Sequence, residues 1–403
     1  MTVDRDGRAA ARATSVAFVS TGFAFASWAS RIPQVRDHLH LSPAELGLVL
    51  LTVACGSFIS LPLTGTMIDH VGSSRTVAVM AVIVGFALAT VAFGYLIGTL
   101  PVVIGLFAFG FSAGAWDVAM NVQAASVERR LERSIMSRFH AGFSVGSVAG
   151  ALIGAAMVAL HVPVTAHLAV VAVAVGIVVP WSVRAFLPDH VTDPGDPSQQ
   201  RPAGPSALAR WREPHTLLVG LFVLAFAFSE GAGNDWLGIG LIDGHHTPAF
   251  VGTLGYALFL AAMTTGRWFG PTLIDTYGRV VVIRAIALVG IVGVLVFVFS
   301  PFTPLAFAGA ALWGAGASLG FPIGMSAAAD EPAAAAGRVS VVSSIGYCAF
   351  LVGPPTIGLL ADQVDVLRAL TLVAFLLAFA ALIATSVRRP PAQLPPPDVV
   401  SLK

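Results

Sequence analysis

The chain has 403 residues, of which 56% are hydrophobic and only 11% are charged, and its net charge is +1. Soluble domains carry roughly a quarter charged residues, so this composition excludes an ordinary soluble enzyme and indicates a membrane protein. The small net charge gives no reason to expect a nucleic-acid partner.

Twelve apolar runs follow one another along the chain. Each is about 20 residues long, which is enough to cross a hydrocarbon core of about 30 Å. The runs cover residues 13–33, 44–67, 76–98, 102–125, 138–160, 165–187, 215–241, 248–273, 280–299, 302–328, 338–361 and 366–387. The sequence therefore predicts an all-α membrane protein with twelve transmembrane helices.

A polar stretch rich in proline and glycine divides the runs into two sets of six. We predict an N-terminal six-helix bundle, a cytoplasmic linker, a C-terminal six-helix bundle and a cytoplasmic tail, at 1–187, 188–213, 214–387 and 388–403. The other loops are short and leave no room for a soluble catalytic domain. We therefore expect neither enzymatic activity nor a cofactor.

The basic residues indicate the orientation in the membrane. If the N-terminus is inside, only Arg31, Arg36 and Arg368 fall at outer helix ends, Arg267 lies within a helix, and the others are on the inner side. Such an excess of positive charge on one side predicts that both termini face the cytoplasm. The expected location is the cytoplasmic (inner) cell membrane.

A short signal closes the second predicted helix and returns after the eighth. In residues 65–75 and again in 271–279, a small residue, an acid, a glycine and a base follow one another in that order. A unit that recurs once in each half indicates two homologous membrane bundles that move against each other. This arrangement is typical of transporters.

The first copy of the signal resembles the loop 2–3 motif of the major facilitator superfamily, Gly-x-x-x-Asp-x-x-Gly-x-x-Arg; the second is looser, with Pro271 in place of the first glycine. The segments 26–33, 116–123, 136–144 and 230–236 are similar to the branch that contains fucose-permease-like and rhizopine-transport (MosC-like) proteins. The resemblance implies two pseudo-symmetric six-helix bundles and secondary transport by alternating access.

Asp117 is the first candidate for a functional role, because a charge deep in a membrane helix is costly unless it faces a cavity or a partner. Gly110, Gly114, Asp117 and Asn121 recur on one helical face. We predict that Asp117 carries a coupling proton, as the resemblance also implies, and that Asn121 binds substrate. The alternative for Asp117 is a permanent ion pair with an arginine.

The seventh predicted helix carries a second polar group. Glu230 and Asn234 are four residues apart, Asp235 follows, and Gly231 and Gly233 between them predict a local unwinding of the helix. We assign Glu230 as the second candidate for proton coupling, and Asn234 and Asp235 as substrate-binding residues. Asp235 could instead lie at the outer mouth.

Four further side chains complete the predicted substrate site. Arg31 binds a carboxylate or hydroxyl-rich ligand, or else extends to the outer interface, and the fucose-permease pattern has an acid near this position where this chain has Ala29. Trp28 and Trp116 stack on a sugar ring, or else pack against other helices. His140 contacts ligand or shuttles protons, or else lies at the inner interface.

The acids and bases of the duplicated turn form the predicted gate. Asp69 and Asp275 can each cap a neighbouring helix or pair with Arg75 or Arg279, and such contacts would close the inner side in one conformation and break in the other. The alternative is a plain turn whose charges only fix topology.

These features predict proton-coupled uptake of a sugar, polyol or inositol-type compound. The partners are a small-molecule substrate, protons and the lipid bilayer; we expect a monomer without a metal site. One alternative is an exporter of drugs or amphipathic metabolites by proton antiport. A lower-ranked alternative is a lipid flippase or a membrane sensor.

Overall fold

The structure, a computed structural model, describes residues 5–133, 135–189, 210–331 and 334–389. Within these ranges the chain is helical and has no strand. Most of the predicted linker and tail, residues 190–209 and 390–403, lies outside the described residues.

The N-terminal half consists of α1 (Arg5–Ala29), α2 (Ile32–Leu39), α3 (Pro43–Val71), α4 (Ser73–Gly94), α5 (Thr99–Leu131), α6 (Met136–Ala159) and α7 (Val164–Ser182). The C-terminal half consists of α8 (Pro214–Ile239), α9 (Ala249–Tyr277), α10 (Arg279–Phe299), α11 (Thr303–Ala317), α12 (Gly320–Ala328), α13 (Ala335–Val364) and α14 (Val366–Leu382). A π-helical turn, Gly240–Gly244, continues α8.

The helices account for the twelve predicted membrane segments. In the described ranges, ten spans are long and apolar enough to cross a membrane, and α11 and α12 together form one of them. The shorter apolar α14 and the 25-residue α1 supply the other two. The predicted all-α fold with twelve membrane helices is thereby confirmed, and α2 is an additional short helix that the apolar runs did not indicate.

The two halves have the same internal packing. In the first, α1 packs on α6, α5 packs on both α3 and α4, and α4 packs on α7. In the second, α8 packs on α13, α11 packs on both α9 and α10, and α10 packs on α14. Each of these four contacts in one half thus has its counterpart in the other, as expected for two pseudo-symmetric bundles.

The duplicated turn has the same backbone in both halves. Gly72, between α3 and α4, has φ +85° and ψ 159°, and Gly278, between α9 and α10, has φ +79° and ψ 157°. Glycine is the residue that adopts a positive φ without a steric cost. This requirement explains why a glycine recurs at the same place in both copies.

The bundles meet along two equivalent helix pairs, α3 with α13 and α6 with α9. We call the side at which α1 begins and α14 ends the terminal side, and the opposite side the distal side. On the distal side, Gly47 of α3 lies so close to Pro354 of α13 that a Cβ atom would overlap the Pro354 carbonyl. Gly358 of α13 lies equally close to Pro43.

Polar contacts also join the bundles on the distal side. The buried Arg36 of α2 donates to both carboxylate oxygens of Asp243 in the π-helical turn, with 2.9 Å between Nη2 and Oδ1. The Ala44 backbone N–H donates to Asp362 Oδ1 at 3.3 Å. The distal side of the molecule is therefore closed in this conformation.

Candidate functional site

A cavity of about 280 Å³ lies between the two bundles. Helices α1, α3, α5 and α6 of one bundle and α8, α9 and α13 of the other line it. Most lining side chains are aromatic or aliphatic, and the polar ones are Ser57, Ser144, Ser147, Glu230, Asn234, Asp235, Thr264, Arg267 and Tyr347. An apolar wall with a few placed polar groups is the usual composition of a small-molecule site.

Glu230 and Arg267 form an ion pair on the cavity wall. Arg267 Nη2 lies 2.9 and 2.8 Å from the two Glu230 carboxylate oxygens, and Nε donates to the Ser318 carbonyl at 3.2 Å. That carbonyl is accessible because the chain is not α-helical between α11 and α12. Sequence reasoning placed Arg267 within a helix and did not include it in the site, whereas the structure places it in the cavity lining.

Asn234 and Asp235 lie on the same helix as Glu230 and line the same cavity. Asn234 Oδ1 accepts a hydrogen bond from the Tyr256 hydroxyl at 3.4 Å. The half-buried Asp235 carboxylate has no hydrogen bond or ion pair with any described residue. The predicted unwinding is wrong, because α8 is continuous there, and Gly233 accommodates the Phe259 ring.

Asp117 and Asn121 lie on α5, on the terminal side of the point at which α5 crosses α3, and neither side chain lines the cavity. A Cβ atom on Gly110 would overlap the Val53 carbonyl, so the glycines allow the close crossing that their spacing predicted. Asn121 Nδ2 donates to the Asp117 backbone carbonyl at 2.8 Å and lies 3.4 Å from its carboxylate. Among the described residues no cation pairs with Asp117, so the alternative of a permanent arginine bridge is not what this conformation contains.

Arg31 is buried within the first bundle and does not line the cavity. Its Nε donates to His167 Nδ1 at 2.9 Å, and its Nη2 donates to the Val162 carbonyl at 3.1 Å. In this conformation Arg31 is therefore outside the cavity lining, and its role in substrate binding stays a prediction. Arg31 instead holds the end of α1 against the start of α7.

The predicted aromatic residues and the histidine have different surroundings. Trp28 is 3% exposed and lines the cavity, whereas Trp116 is fully buried within its bundle and does not. His140 is exposed and packs edge-on against Phe18, with 5.1 Å between the ring centroids, outside the cavity lining.

The predicted gate contacts do not form in this conformation. Asp69, Arg75 and Asp275 are exposed and have no hydrogen bond or ion pair with any residue in the described ranges. Arg279 is buried and pairs with Asp330, at 2.5 and 3.0 Å, and with Ser326 at 2.7 Å.

Another acid holds the turn after α3. Asp189, which follows α7, accepts from the Ser73 backbone N–H at 2.7 Å and from its hydroxyl at 2.6 Å. This side chain therefore occupies the N-terminus of α4, which an acid of the gate could otherwise cap.

Sequence reasoning missed two tyrosines, Tyr347 and Tyr256. Tyr347 of α13 lines the cavity, in the bundle opposite the one that carries Asp117. Tyr256 is buried beside Asn234. A lone tyrosine in an apolar helix carries no periodic signal that separates a cavity position from a packing position.

Comparisons with known proteins agree with this architecture. Residues 14–348 match the family model of the Major Facilitator Superfamily. The chain is 33% identical over 377 residues to the uncharacterized transporter y4wD of Sinorhizobium fredii, covering 93% of this chain and 97% of that protein. It is 29% identical over 362 residues to the membrane protein MosC of Rhizobium meliloti, covering 90% and 86%.

Two solved structures have the same fold at low sequence identity. A bacterial homolog of the human lysosomal transporter Spinster, crystallised in an inward-facing and unoccupied conformation, has a TM-score of 0.79 at 12% identity and covers 96% of this chain and 100% of that one. The nucleoside transporter NupG has a TM-score of 0.70 at 12% identity and covers 93% and 98%.

Proposed function

The chain belongs to the major facilitator superfamily of multi-pass membrane transporters, and on that premise we propose that it takes up a small polar solute together with protons. The solute class is a sugar, polyol or inositol-type compound, and the route is alternating access across the cytoplasmic membrane. The observation that carries the proposal is the cavity between the bundles, which is closed on the distal side and has a few polar side chains in a mainly apolar lining.

The size and the walls of the cavity support a solute of monosaccharide size. Its volume of about 280 Å³ is at the small end of ligand pockets, which span about 300–1,000 Å³. Trp28, Phe143 and Phe350 offer flat apolar faces. Glu230 and Arg267 offer an acceptor and a donor of charge-assisted hydrogen bonds to hydroxyl groups.

The distribution of arginine supports a cytoplasmic location for the terminal side. With that orientation the closed distal side faces outward, and the present conformation corresponds to the inward-facing step of the cycle. Solute would leave toward the cytoplasm from this state.

Asp117 is the carboxylate that we propose for proton coupling. Glu230 is paired with Arg267 at 2.8 Å, so a change of its charge would leave the arginine without its partner in the cavity. Asp117 has no such cation in the described chain, so its charge can change with less rearrangement. A proton that enters with the solute adds the membrane potential as a driving force, about 2.3 kcal/mol per charge per 100 mV.

The test is transport by purified protein in proteoliposomes. Solute accumulation under an imposed pH gradient is compared with exchange of labelled for unlabelled solute, in wild type and in Asp117→Asn. We expect the variant to lose accumulation and to retain exchange, because exchange needs no net proton movement.

Asp6→Asn, which changes an exposed acid at the start of α1, is the matched control and should keep both activities. Full accumulation by Asp117→Asn would exclude this residue as the coupling site. Absence of solute movement in wild type, across sugars, polyols and inositols, would overturn the solute class.

A second candidate function is export of amphipathic metabolites by proton antiport. The mainly aromatic and aliphatic lining of the cavity favours it. An exporter would deplete such compounds from cells that overproduce the protein and would show no uptake of polar solutes.

A further inference from the structure

A second, much smaller cavity lies beyond the main one on the distal side. Its volume is about 10 Å³, close to what one water molecule needs. It lies between the end of α1, α8 and α9. Asn234 and Asp235 line both cavities and therefore connect them.

The charge at this place is uncompensated. Asp235 is half-buried and has neither a hydrogen bond nor an ion pair with a described residue, whereas Glu230 on the same helix has Arg267. An isolated carboxylate inside a membrane protein is costly, and such residues mark ion or substrate sites by default.

The hydroxyl groups around the small cavity also offer oxygen atoms, because the hydrogens of Ser30, Thr253 and Tyr256 are used within the protein. The Thr253 hydroxyl donates to the Ala249 carbonyl at 3.1 Å, and the Tyr256 hydroxyl donates to Asn234 Oδ1 at 3.4 Å. Once a hydroxyl hydrogen is used within the protein, the lone pairs of its oxygen remain to accept. Together with the Asp235 carboxylate, these oxygens favour a ligand that brings positive charge or donors.

We propose that Asp235, with the oxygens of Thr253, Tyr256 and Asn234, binds one monovalent cation: a sodium ion or the protonated amine of a solute. One carboxylate neutralises one positive charge, and the described residues contain no cluster of three His, Cys, Asp or Glu side chains that would suit a divalent metal. The volume accepts a bare ion or an ammonium group and excludes a larger cation.

The site deepens the proposed function, because a cation bound there would lie against the solute in the main cavity and could couple to its binding. It does not depend on transport being measured. Cation binding that fails leaves the uptake proposal standing, and uptake that fails leaves cation binding to be judged separately.

The experiment is thermal unfolding of the purified full-length protein at one pH and one ionic strength. Tetraethylammonium chloride, whose quaternary cation has no N–H donor and is too large for the cavity, is replaced stepwise by sodium chloride or by methylammonium chloride. We expect the melting temperature to rise and saturate with at least one of the two. Any binder of the native state has this effect.

The variants locate the effect. Asp235→Asn should abolish the rise, and Asp6→Asn should keep it. Thr253→Val, which removes one oxygen and keeps the shape, should weaken the apparent affinity about three- to tenfold. This variant keeps the proposal falsifiable if Asp235→Asn folds poorly.

The two salts distinguish the source of the charge. A response to sodium supports an ion site, and a response to methylammonium alone supports the amine of a solute. The proposal is overturned if neither salt stabilises wild type relative to tetraethylammonium chloride. It is also overturned if Asp235→Asn or Thr253→Val responds as wild type does.

Discussion

Glu230 and Arg267 show how the polar groups of the cavity are balanced. The side chains are 18% and 28% exposed, and both Glu230 oxygens lie within 2.9 Å of one Arg267 nitrogen. In so little solvent the two charges depend on each other, and removal of one leaves the other without compensation.

A double-mutant cycle tests this dependence. We expect Glu230→Gln or Arg267→Gln alone to lower the free energy of unfolding by about 1–3 kcal/mol, since each leaves a largely buried charge unpaired. The double variant should cost less than the sum of the two single changes. Melting temperatures of wild type and the three variants in detergent measure these losses of stability. If the loss in the double variant equals the sum of the two single losses, the pair contributes no coupling energy.

Single residues also show where sequence reasoning reaches its limit. The unfavourable energy of a charge in a membrane helix was enough to select Asp117, Glu230 and Asp235 as functional candidates. This energy does not indicate which residue a charged side chain contacts, because the contacting residue comes from a helix distant in sequence. Arg31 contacts His167, which is 136 residues away, and no periodicity in the sequence relates the two.

At the scale of single elements, close helix crossings depend on particular glycines. Gly110→Ala places a Cβ against the Val53 carbonyl of α3, so we expect it to destabilise the bundle by about 1–3 kcal/mol. Gly176→Ala in α7 is the matched control, because no atom lies within 4 Å of its added Cβ. The control should be neutral or stabilising by up to about 1 kcal/mol. Equal melting temperatures for the two variants would contradict the packing argument.

The start of α8 is held by one acid on the terminal side. Glu213 accepts from Arg210, from Arg338 Nε at 2.9 Å and from the Thr216 hydroxyl at 2.8 Å. Partial burial acts in the opposite direction, but these hydrogen bonds prevail and lower the pKa of Glu213 to about 2. The carboxylate therefore stabilises the fold while it is ionised.

The sign of the pH dependence follows from the lowered pKa. The contribution of Glu213 is fully present above its ordinary value of 4.5 and is lost as the pH falls toward about 2. We expect the melting temperature of wild type to fall across this window more steeply than that of Glu213→Gln. Parallel curves for the two proteins would rule out the linkage.

The sequence predicted the membrane-spanning helices but neither α2 nor the interruption between α11 and α12, and the difference has a physical reason. An apolar run of membrane length needs no tertiary information, so the twelve spans could be read from the sequence. α2 is short and amphipathic, and the ion pair of its Arg36 with Asp243, 207 residues away, helps to fix it. The interruption between α11 and α12 likewise depends on packing, here on Gly320 against the Phe226 ring.

At the scale of the whole molecule, the two bundles contact each other through two helix pairs. These pairs, α3 with α13 and α6 with α9, are equivalent under the internal repeat. A rotation of one bundle against the other therefore changes the contacts of both pairs. The distal contacts hold the present state, and a state open on the distal side requires that they separate.

Gly47 gives a direct test of that requirement. Its nearest neighbours are Pro354 and Pro355 of the other bundle, whereas Gly56, on the same helix, lies against Phe107 and Phe111 of its own bundle. Gly47→Val should therefore leave the bundles folded and prevent distal closure, while Gly56→Val should lower stability by about 1–3 kcal/mol.

A thiol reporter at Ala29, which lines both cavities, reads the distal opening. In a background with Cys55 and Cys348 replaced by alanine, we expect an impermeant maleimide added from outside to label Ala29→Cys slowly. Gly47→Val should raise this rate at least severalfold and abolish transport, because the molecule can no longer close the distal side. Unchanged labelling together with normal transport would mean that closure does not depend on the contact between Gly47 and Pro354. The Arg36–Asp243 pair would then be the contact that holds the distal side.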